Sequence, residues 1–315
     1  MCNFLPEGRR IETYENANCL KSVSSLTEAF RDEKILEARA TVCDKQHNLI
    51  VDLGCMKGII PREEGAVGIK DGSVRDIAVI SRVNRAVCFI ITAFTIDSSG
   101  NQIAVLSREK AQKMCLSQYI SGLSSGDVID ARITHLEPFG AFADIGCGIV
   151  ALLPIDSISV SRIEHPKERF YTGMDIKAVV KSIENGRISL SHKELLGTWQ
   201  ENADNFSAGE TVAGIVRSIE SYGAFIELSP NLAGLAESKE GIKVGQQASV
   251  YIKSIIPSKM KIKLIIIDAF DSDYAPSTPH YYYTKPHIDK FVYSPDECEK
   301  NIVTYFGEQE NAALL

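Results

Sequence analysis

The chain has 315 residues, a net charge of −7 and eight cysteines with no Cys-x-x-Cys pair, which argues against zinc or disulfide scaffolds and favours a reducing cytosol. The first residues lack a signal-peptide pattern, and no apolar run reaches the ~18 residues of a membrane helix, so a secreted or membrane protein is not expected. The length predicts two or three domains.

The N-terminal residues 1–34 are predicted to form an extension that contains a helix. The stretch "SSLTEAFRDEK" opens with Ser25-x-x-Glu28, the spacing of a capping box that satisfies two free backbone amides. We therefore expect a helix beginning at Ser25 ahead of the first β-rich segment.

A motif is repeated further along the chain. The sequence reads "EPFGAFADIG" from Glu137 and "ESYGAFIELS" from Glu220, 83 residues later. A weaker copy precedes both, because "VDLGC" from Val51 matches "ADIGC" from Ala143. Each copy ends in alternating β-branched residues, which is typical of strands. In the second copy Asn185-Gly186 is a strong signal for a two-residue hairpin turn.

Units of 70 to 80 residues with short strands and a Gly-rich middle suit a five-stranded barrel of the oligonucleotide-binding (OB) type. A sandwich is the alternative, although it usually needs about seven strands. The predicted fold is all-β, with three tandem five-stranded OB barrels joined by short helices. The expected segments after residue 34 are barrels at 35–106, 121–193 and 207–270, helical linkers at 107–120 and 194–206, and a tail at 271–315.

The tail is predicted to be acidic and partly disordered. It holds eight acidic residues against three lysines. Ser294-Pro295-Asp296-Glu297 has the pattern of a helix start, with Pro in the first turn. We expect a short helix there, and little regular structure between Asp271 and Ser294.

The second copy resembles the S1 RNA-binding domain, a repeat found in the largest small-subunit ribosomal protein and in some ribonucleases. It carries Gly-Asp-x-Val early, aromatic-Gly-Ala-Phe in the middle and Arg-Ile-x-Leu-Ser near the end. The third copy keeps the first two parts, and the first copy is degenerate. The chain is similar to a short bacterial S1-like protein with three such barrels. The resemblance implies an OB fold and single-stranded RNA binding. We expect no cofactor, and no metal because the cysteines and histidines lack ligand spacing.

In that family two aromatic side chains form a stacking platform for bases, supported by a His and by a basic residue of the closing strand. The resemblance assigns Phe139, Phe142 and Arg187 to this role in the second copy, and Pro154 replaces the family's His. In the third copy it assigns Tyr222, Phe225 and Lys261, with Glu237 at the His position. His135, Lys259 and Lys263 complete the candidate set. The first copy offers only His47, with Pro61 at the His position.

Stacking a base on an aromatic ring contributes roughly 1–3 kcal/mol and tolerates any base. Phe139 and Phe142 are three residues apart, so in a regular strand they point to opposite faces, and one of them would be buried. Both can face outward if a bulge forms at Gly140. The alternation in "SKMKIK" predicts that Lys259, Lys261 and Lys263 share one face of a strand, either solvated or along a phosphate backbone.

The sequence contains no P-loop, Gly-x-Ser-x-Gly or His-Glu-x-x-His motif, so we do not expect an enzyme. The acids Asp52, Asp144 and Glu227 occupy equivalent places and are interpreted as fold residues. The leading hypothesis is a non-catalytic cytoplasmic protein that binds single-stranded messenger RNA in translation, with the small ribosomal subunit as a further partner. The alternative is a protein-docking OB scaffold with little RNA affinity, a role that fits the degenerate first copy.

Overall fold

Short strands with alternating buried and exposed residues build three closed barrels in the computed structural model, which describes residues 4–272 and 275–307. In each barrel the ring order is first, second, third, fifth, fourth strand, and the third and fifth strands run parallel. This is the closed five-stranded architecture expected of an OB barrel. The predicted all-β chain with three OB barrels is confirmed.

The strands of the first barrel are β1 (Leu36–Cys43), β2 (Leu49–Asp52), β3 (Lys57–Ile60), β4 (Ala86–Ile96) and β5 (Gln102–Ser107). Those of the second are β6 (Val128–Glu137), β7 (Gly140–Gly146), β8 (Ile149–Pro154), β9 (Asp175–Glu184) and β10 (Arg187–Ser191). Those of the third are β11 (Thr211–Glu220), β12 (Gly223–Ser229), β13 (Leu232–Ala236), β14 (Gln247–Ile256) and β15 (Lys261–Phe270).

The chain forms two compact units. The first runs up to Leu123 and also includes Asp144–Val150, and the second contains Ser124–Ala143 and the chain from Ala151 onward. The second and third barrels therefore share one unit for most of their length. None of the helices in the described ranges is long and apolar enough to cross a membrane.

The helices are α1 (Tyr14–Leu20), α2 (Val23–Arg31), α3 (Ile77–Ile80), α4 (Arg108–Gln118) and α5 (Trp199–Ala203). The predicted start of the N-terminal helix is wrong: α2 begins at Val23, and the capping box joins Ser22 to Ser25 rather than Ser25 to Glu28. The predicted linker helix after the first barrel is present as α4, with Ser107 as its N-cap. The linker after the second barrel is a single-turn 3₁₀ helix and α5, separated at Gly197, whose φ is +86°.

One sequence prediction for the tail is wrong. No helix begins at Ser294, whose hydroxyl instead accepts a hydrogen bond from the backbone N–H of Ile302. The hydrogen bond closes a hairpin between β16 (Lys290–Val292) and β17 (Val303–Tyr305). The described tail is also packed, because it adds four side chains to the core around the third barrel: Ile288, Phe291, Tyr293 and Phe306. Residues 273–274 and 308–315 of the predicted tail lie outside the described residues.

Candidate nucleic-acid interface

The aromatic pair of the second barrel lies where β6 turns into β7. Phe139 belongs to the two-residue turn between the strands, and Phe142 lies within β7. The Phe139 side chain is 56% exposed and Phe142 is half-buried, with their ring centroids 6.0 Å apart and the rings nearly perpendicular. Phe139 is therefore free of the alternation between the two faces of a strand, because it lies in a turn.

The structure shows a reason for glycine at position 140 that the sequence does not predict. A Cβ atom at this position would lie 2.5 Å from the backbone carbonyl oxygen of Leu153 on the neighbouring strand β8. In the third barrel the equivalent Gly223 has a φ of +149°, and its Cβ would lie 2.3 Å from the carbonyl oxygen of Ala236. The glycine thus lets two strands approach closely beside the platform.

His135 extends the aromatic surface of the second barrel. Its ring centroid lies 6.3 Å from that of Phe142, with an angle of 29° between the ring planes. Its Nε2 lies 2.6 Å from a carboxylate oxygen of Glu137. Thr134 donates a hydroxyl hydrogen bond to the carbonyl oxygen of Phe142 and fixes the β7 backbone beneath this surface. The three rings of His135, Phe139 and Phe142 are called the second-barrel platform below.

The third barrel repeats this geometry with other side chains. Tyr222 lies in the turn between β11 and β12 and is 67% exposed, and Phe225 lies in β12 and is half-buried. Their ring centroids are 6.2 Å apart and the rings are perpendicular. Ser218, the register partner of Phe225, stands at the position of His135. The rings of Tyr222 and Phe225 are called the third-barrel platform below. The irregularity in the β11–β12 register falls between Val216 and Ser218, not at the glycine.

The basic residues of the closing strands divide into two groups. Lys261 and Lys263 alternate with buried residues of β15 and are exposed on one face. Phe225 pairs with Leu235, which pairs with Lys263, and these three residues across neighbouring strands are called the platform row. Lys263 therefore lies two strands from Phe225, at a backbone distance of about 10 Å. Lys259 is not part of this face, because it belongs to a 3₁₀ turn before the strand. That part of the sequence prediction is wrong.

In the second barrel the platform row ends differently. Ser189 of β10 pairs with Leu152, so it stands where Lys263 stands in the third barrel. Arg187 is exposed two residues earlier, directly after the hairpin turn. Both turn residues have positive φ, 50° at Asn185 and 74° at Gly186, as the sequence predicts. Arg187 is thus two residues away, along its strand, from the position that Lys263 takes in the third barrel.

The first barrel has no comparable platform. Its β1–β2 connection is the loop from Asp44 to Asn48, where the Asp44 carboxylate accepts hydrogen bonds from the backbone N–H groups of Gln46 and Asn48. His47 sits there with a φ of 64°, and its Nδ1 lies 3.3 Å from the Asp76 carboxylate. The lone candidate of the first copy is therefore engaged with an acidic residue of its own barrel.

Sequence reasoning missed an ionic network that joins the second barrel to the third. The Arg217 guanidinium donates to both carboxylate oxygens of Glu227, at 2.7 and 3.1 Å, and it also contacts Glu168. Arg169, from the same loop as Glu168, donates to Glu227 as well. Arg217 and Glu227 are nearly fully buried. Scattered charges in the sequence gave no signal for this network, since its members come from distant segments.

Asn231 forms a second element of this junction. It is fully buried in the turn between β12 and β13. Its side-chain amide donates to the carbonyl oxygens of Lys193 and Gly197, at 2.7 and 2.8 Å, and its oxygen accepts from the backbone N–H of Val160 at 3.0 Å. An amide with three good hydrogen bonds in a buried site defines one geometry, because any displacement leaves polar groups unpaired.

Comparisons with known proteins agree with these features. Residues 123–193 match the S1 RNA binding domain family. Small ribosomal subunit protein bS1 of Staphylococcus aureus is 31% identical over 287 residues, covering 83% of this chain and 70% of that protein. The bS1 protein of Leuconostoc lactis is 31% identical over 235 residues, covering 69% of this chain and 52% of that protein.

Among solved structures, a Streptococcus pneumoniae multidomain protein with nucleic acid binding domains is similar over 75% of this chain and 74% of its own. The sequence identity is 13% and the TM-score is 0.25, so this similarity supports no functional assignment. The bS1 matches cover 83% and 69% of this chain and so extend well beyond the S1 segment. The chain belongs to the family of the small ribosomal subunit protein bS1.

Proposed function

We propose that this protein is a non-catalytic, cytoplasmic protein that binds single-stranded RNA through the second-barrel and third-barrel platforms. The observation that carries the proposal is the repeated aromatic pair. Phe139 with Phe142 and Tyr222 with Phe225 adopt the same edge-to-face geometry at the same turn of two barrels. Unpaired bases supply π-faces that stack on exposed aromatic rings, and the repetition of the pair at the same turn of two barrels favours such a shared partner.

The charge around the platforms supports a phosphate-bearing partner. Lys261 and Lys263 are exposed on the strand that closes the third barrel, and Arg187 is exposed at the equivalent strand of the second. Single-stranded RNA binding of this kind combines stacking with a cationic groove and depends strongly on salt. The overall charge of −7 therefore does not oppose the proposal, because the relevant charge is local.

We further propose that the RNA is messenger RNA and that the protein acts in translation together with the small ribosomal subunit. This part of the proposal rests on the membership of the bS1 family. The first barrel, which lacks a platform, is proposed to contribute no RNA contact. Each platform alone binds weakly, and the two act together because short connections raise their effective concentration.

The test is fluorescence anisotropy with a labelled 12-nucleotide RNA, free or annealed to its complement. The full chain is expected to bind the single strand in preference to the duplex. A variant with Phe139, Phe142, Tyr222 and Phe225 changed to Ala is expected to lose this binding. The matched control is Tyr14→Ala, which removes an aromatic ring that is 82% exposed in the N-terminal helix α1.

Equal binding by the fourfold variant, with its fold intact by circular dichroism, would contradict the platform proposal. The translational part is tested by co-sedimentation with small ribosomal subunits before and after nuclease treatment. Co-sedimentation that depends on intact RNA supports the proposal. Co-sedimentation that survives nuclease, in a protein without RNA affinity, would instead support a protein-docking function.

A further inference from the structure

A groove of about 810 Å³ lies at the junction of the second and third barrels. One wall is formed by the loop between β8 and β9, whose residues Arg162, His165 and Lys167 line the groove. The other wall is formed by β11, whose residues Ser218 and Ile219 line it. All of these residues belong to the second unit.

The groove opens beside the third-barrel platform. Ser218 is the register partner of Phe225, and Ile219 pairs with Ala224 in the same two strands. Ile219 is 38% exposed, and Val244, which also lines the groove, is 46% exposed. An RNA strand with a base stacked on Tyr222 or Phe225 therefore has a partly apolar wall next to it, suited to ribose and base faces.

The loop wall supplies the charge. Arg162 and Lys167 are exposed, and neither side chain has an ionic partner among the residues that the structure describes. Glu168, in contrast, is occupied by Arg217. Glu164 also lines the groove and is exposed, so the two cations leave a surplus of positive charge over it.

The loop is held in one conformation before any ligand arrives. Glu168 accepts hydrogen bonds from the backbone N–H groups of Glu164 and His165, at 2.7 and 3.1 Å. His165 Nδ1 accepts from the backbone N–H of Lys167 at 3.1 Å, which completes the N-terminal cap of a 3₁₀ turn. The contact between Glu168 and Arg217 then fixes this turn against β11. A fixed loop backbone reduces the conformational freedom that is lost when its cationic side chains bind a phosphate chain.

We infer that this junction groove is a second RNA contact, in which Arg162 and Lys167 bind the phosphate backbone of a strand that leaves the third-barrel platform. The inference rests on the proposed single-stranded RNA binding and extends it from the platforms to the space between two barrels. The ionic network then has a function in RNA binding, because it holds the loop and β11 at a fixed separation. Two barrels thereby form one continuous RNA-binding surface.

The test compares the full chain with a variant carrying Arg162→Ser and Lys167→Ser. The control carries Lys285→Ser and Lys300→Ser, which removes the same charge from exposed tail residues of the same unit. Anisotropy is measured with 5- and 12-nucleotide RNA strands over a range of salt. For the 12-mer, the groove variant is expected to bind about tenfold more weakly at low salt, with a salt slope shallower by about 1.4, the value for two lost phosphate contacts. The 5-mer is expected to lose less affinity, because it binds on the platform without reaching the groove.

Three outcomes separate this inference from the proposed function. If Tyr222→Ala with Phe225→Ala weakens 12-mer binding and the groove variant matches its control, the groove inference is wrong and the platform proposal stands. If the parent protein binds neither strand, both are wrong. If the groove variant alters only nuclease-resistant association with ribosomal subunits, the groove contacts protein, and the inference is overturned.

Discussion

Phe139 and Phe142 meet edge to face at 6.0 Å although only Phe142 belongs to a strand. The turn residue is the more exposed of the two, and the strand residue is half-buried. Tyr222 and Phe225 stand in the same relationship at 6.2 Å. The spacing aromatic-Gly-Ala-Phe thus places an exposed turn ring against a half-buried strand ring, and between them lies the glycine that allows the next strand to approach.

Phe139→Ala is expected to weaken binding of single-stranded RNA by about 1–3 kcal/mol, the value of one stacked base. Because the side chain is 56% exposed, the free energy of unfolding is expected to change little. Anisotropy titration and chemical denaturation measure the two quantities. Tyr14→Ala is the control for loss of an exposed ring. A large loss of stability with unchanged RNA affinity would show that Phe139 is a packing residue.

Lys263→Ala is expected to reduce RNA affinity and to make its salt dependence shallower by about 0.7, the value for one phosphate contact on a single strand. Lys263 lies in the row of Phe225 and Leu235, whereas Lys259 lies outside the strand. Lys259→Ala is therefore the matched control and is expected to change both quantities less. The same anisotropy titrations at several salt concentrations show which of the two variants loses more RNA affinity. A stronger effect of Lys259→Ala than of Lys263→Ala would contradict an RNA path along the row of Phe225, Leu235 and Lys263.

Gly140→Ala is expected to destabilise the second barrel by about 1–3 kcal/mol, the usual cost of overpacking. The new methyl group would meet the Leu153 carbonyl oxygen at 2.5 Å, and a backbone atom cannot move aside as a flexible side chain can. Gly122→Ala is the control, since nothing lies within 4 Å of its Cβ position and its φ is not positive. Thermal unfolding of the two variants checks the difference. Equal stability of both would show that the strands separate freely at this point.

Phe291→Ala is expected to lower the stability of the second unit by about 3–5 kcal/mol, the usual cost of removing a buried Phe side chain. Phe291 is buried in β16 and belongs to the same core as Trp199 and the third barrel. The control is Ile302→Ala in the same tail, because Ile302 is 37% exposed and its truncation removes less buried surface. Urea denaturation followed by Trp199 fluorescence reports the change, since Trp199 is the only tryptophan of the chain. Indistinguishable midpoints would mean that the tail does not stabilise this unit.

The contribution of His192 to stability is expected to fall between about pH 6.5 and pH 4, whereas Asp144, whose pKa burial raises to about 7, contributes with the opposite sign. Burial lowers the pKa of this imidazole to about 4, and the ring is hydrogen-bonded to the carbonyl oxygen of Ile158 and to the Tyr281 hydroxyl. The unfolded chain takes up a proton below its pKa of about 6.5 and the folded chain does not, so acid favours unfolding by up to roughly 3 kcal/mol. His287 contributes with the opposite sign, because hydrogen bonding to Asp127 raises its pKa.

The comparison of the parent with His192→Gln at pH 7 and pH 5 isolates this contribution. The variant is expected to lose less stability than the parent on acidification, whatever its stability at pH 7. Denaturant midpoints at the two pH values measure the difference. An identical loss in both proteins would show that His192 is not the group that titrates.

The local features of this protein were determined by its sequence because they depend on neighbouring residues. The barrel count followed from the repeated motif, and the β9–β10 hairpin followed from Asn185-Gly186, whose positive φ values few other residue pairs adopt. The candidate aromatics were also found this way, since their spacing is part of the repeat. Their roles in RNA binding stay predictions.

The tertiary structure decided what depends on residues far apart in the chain. The exposure of Phe139 follows from its place in the turn between β6 and β7, whereas the parity expectation placed it within a strand. The tail forms a hairpin instead of a helix because Phe291 and Phe306 gain more from burial in a distant core than Ser294-Pro295 gains from a local cap. In the sequence Arg217 and Glu227 are two charged residues without a distinguishing pattern. In the structure they form a buried ion pair that also contacts Glu168 and Arg169, some fifty residues away. A local sequence pattern does not reveal such long-range partners, because a buried ion pair forms only when folding brings the distant segments together.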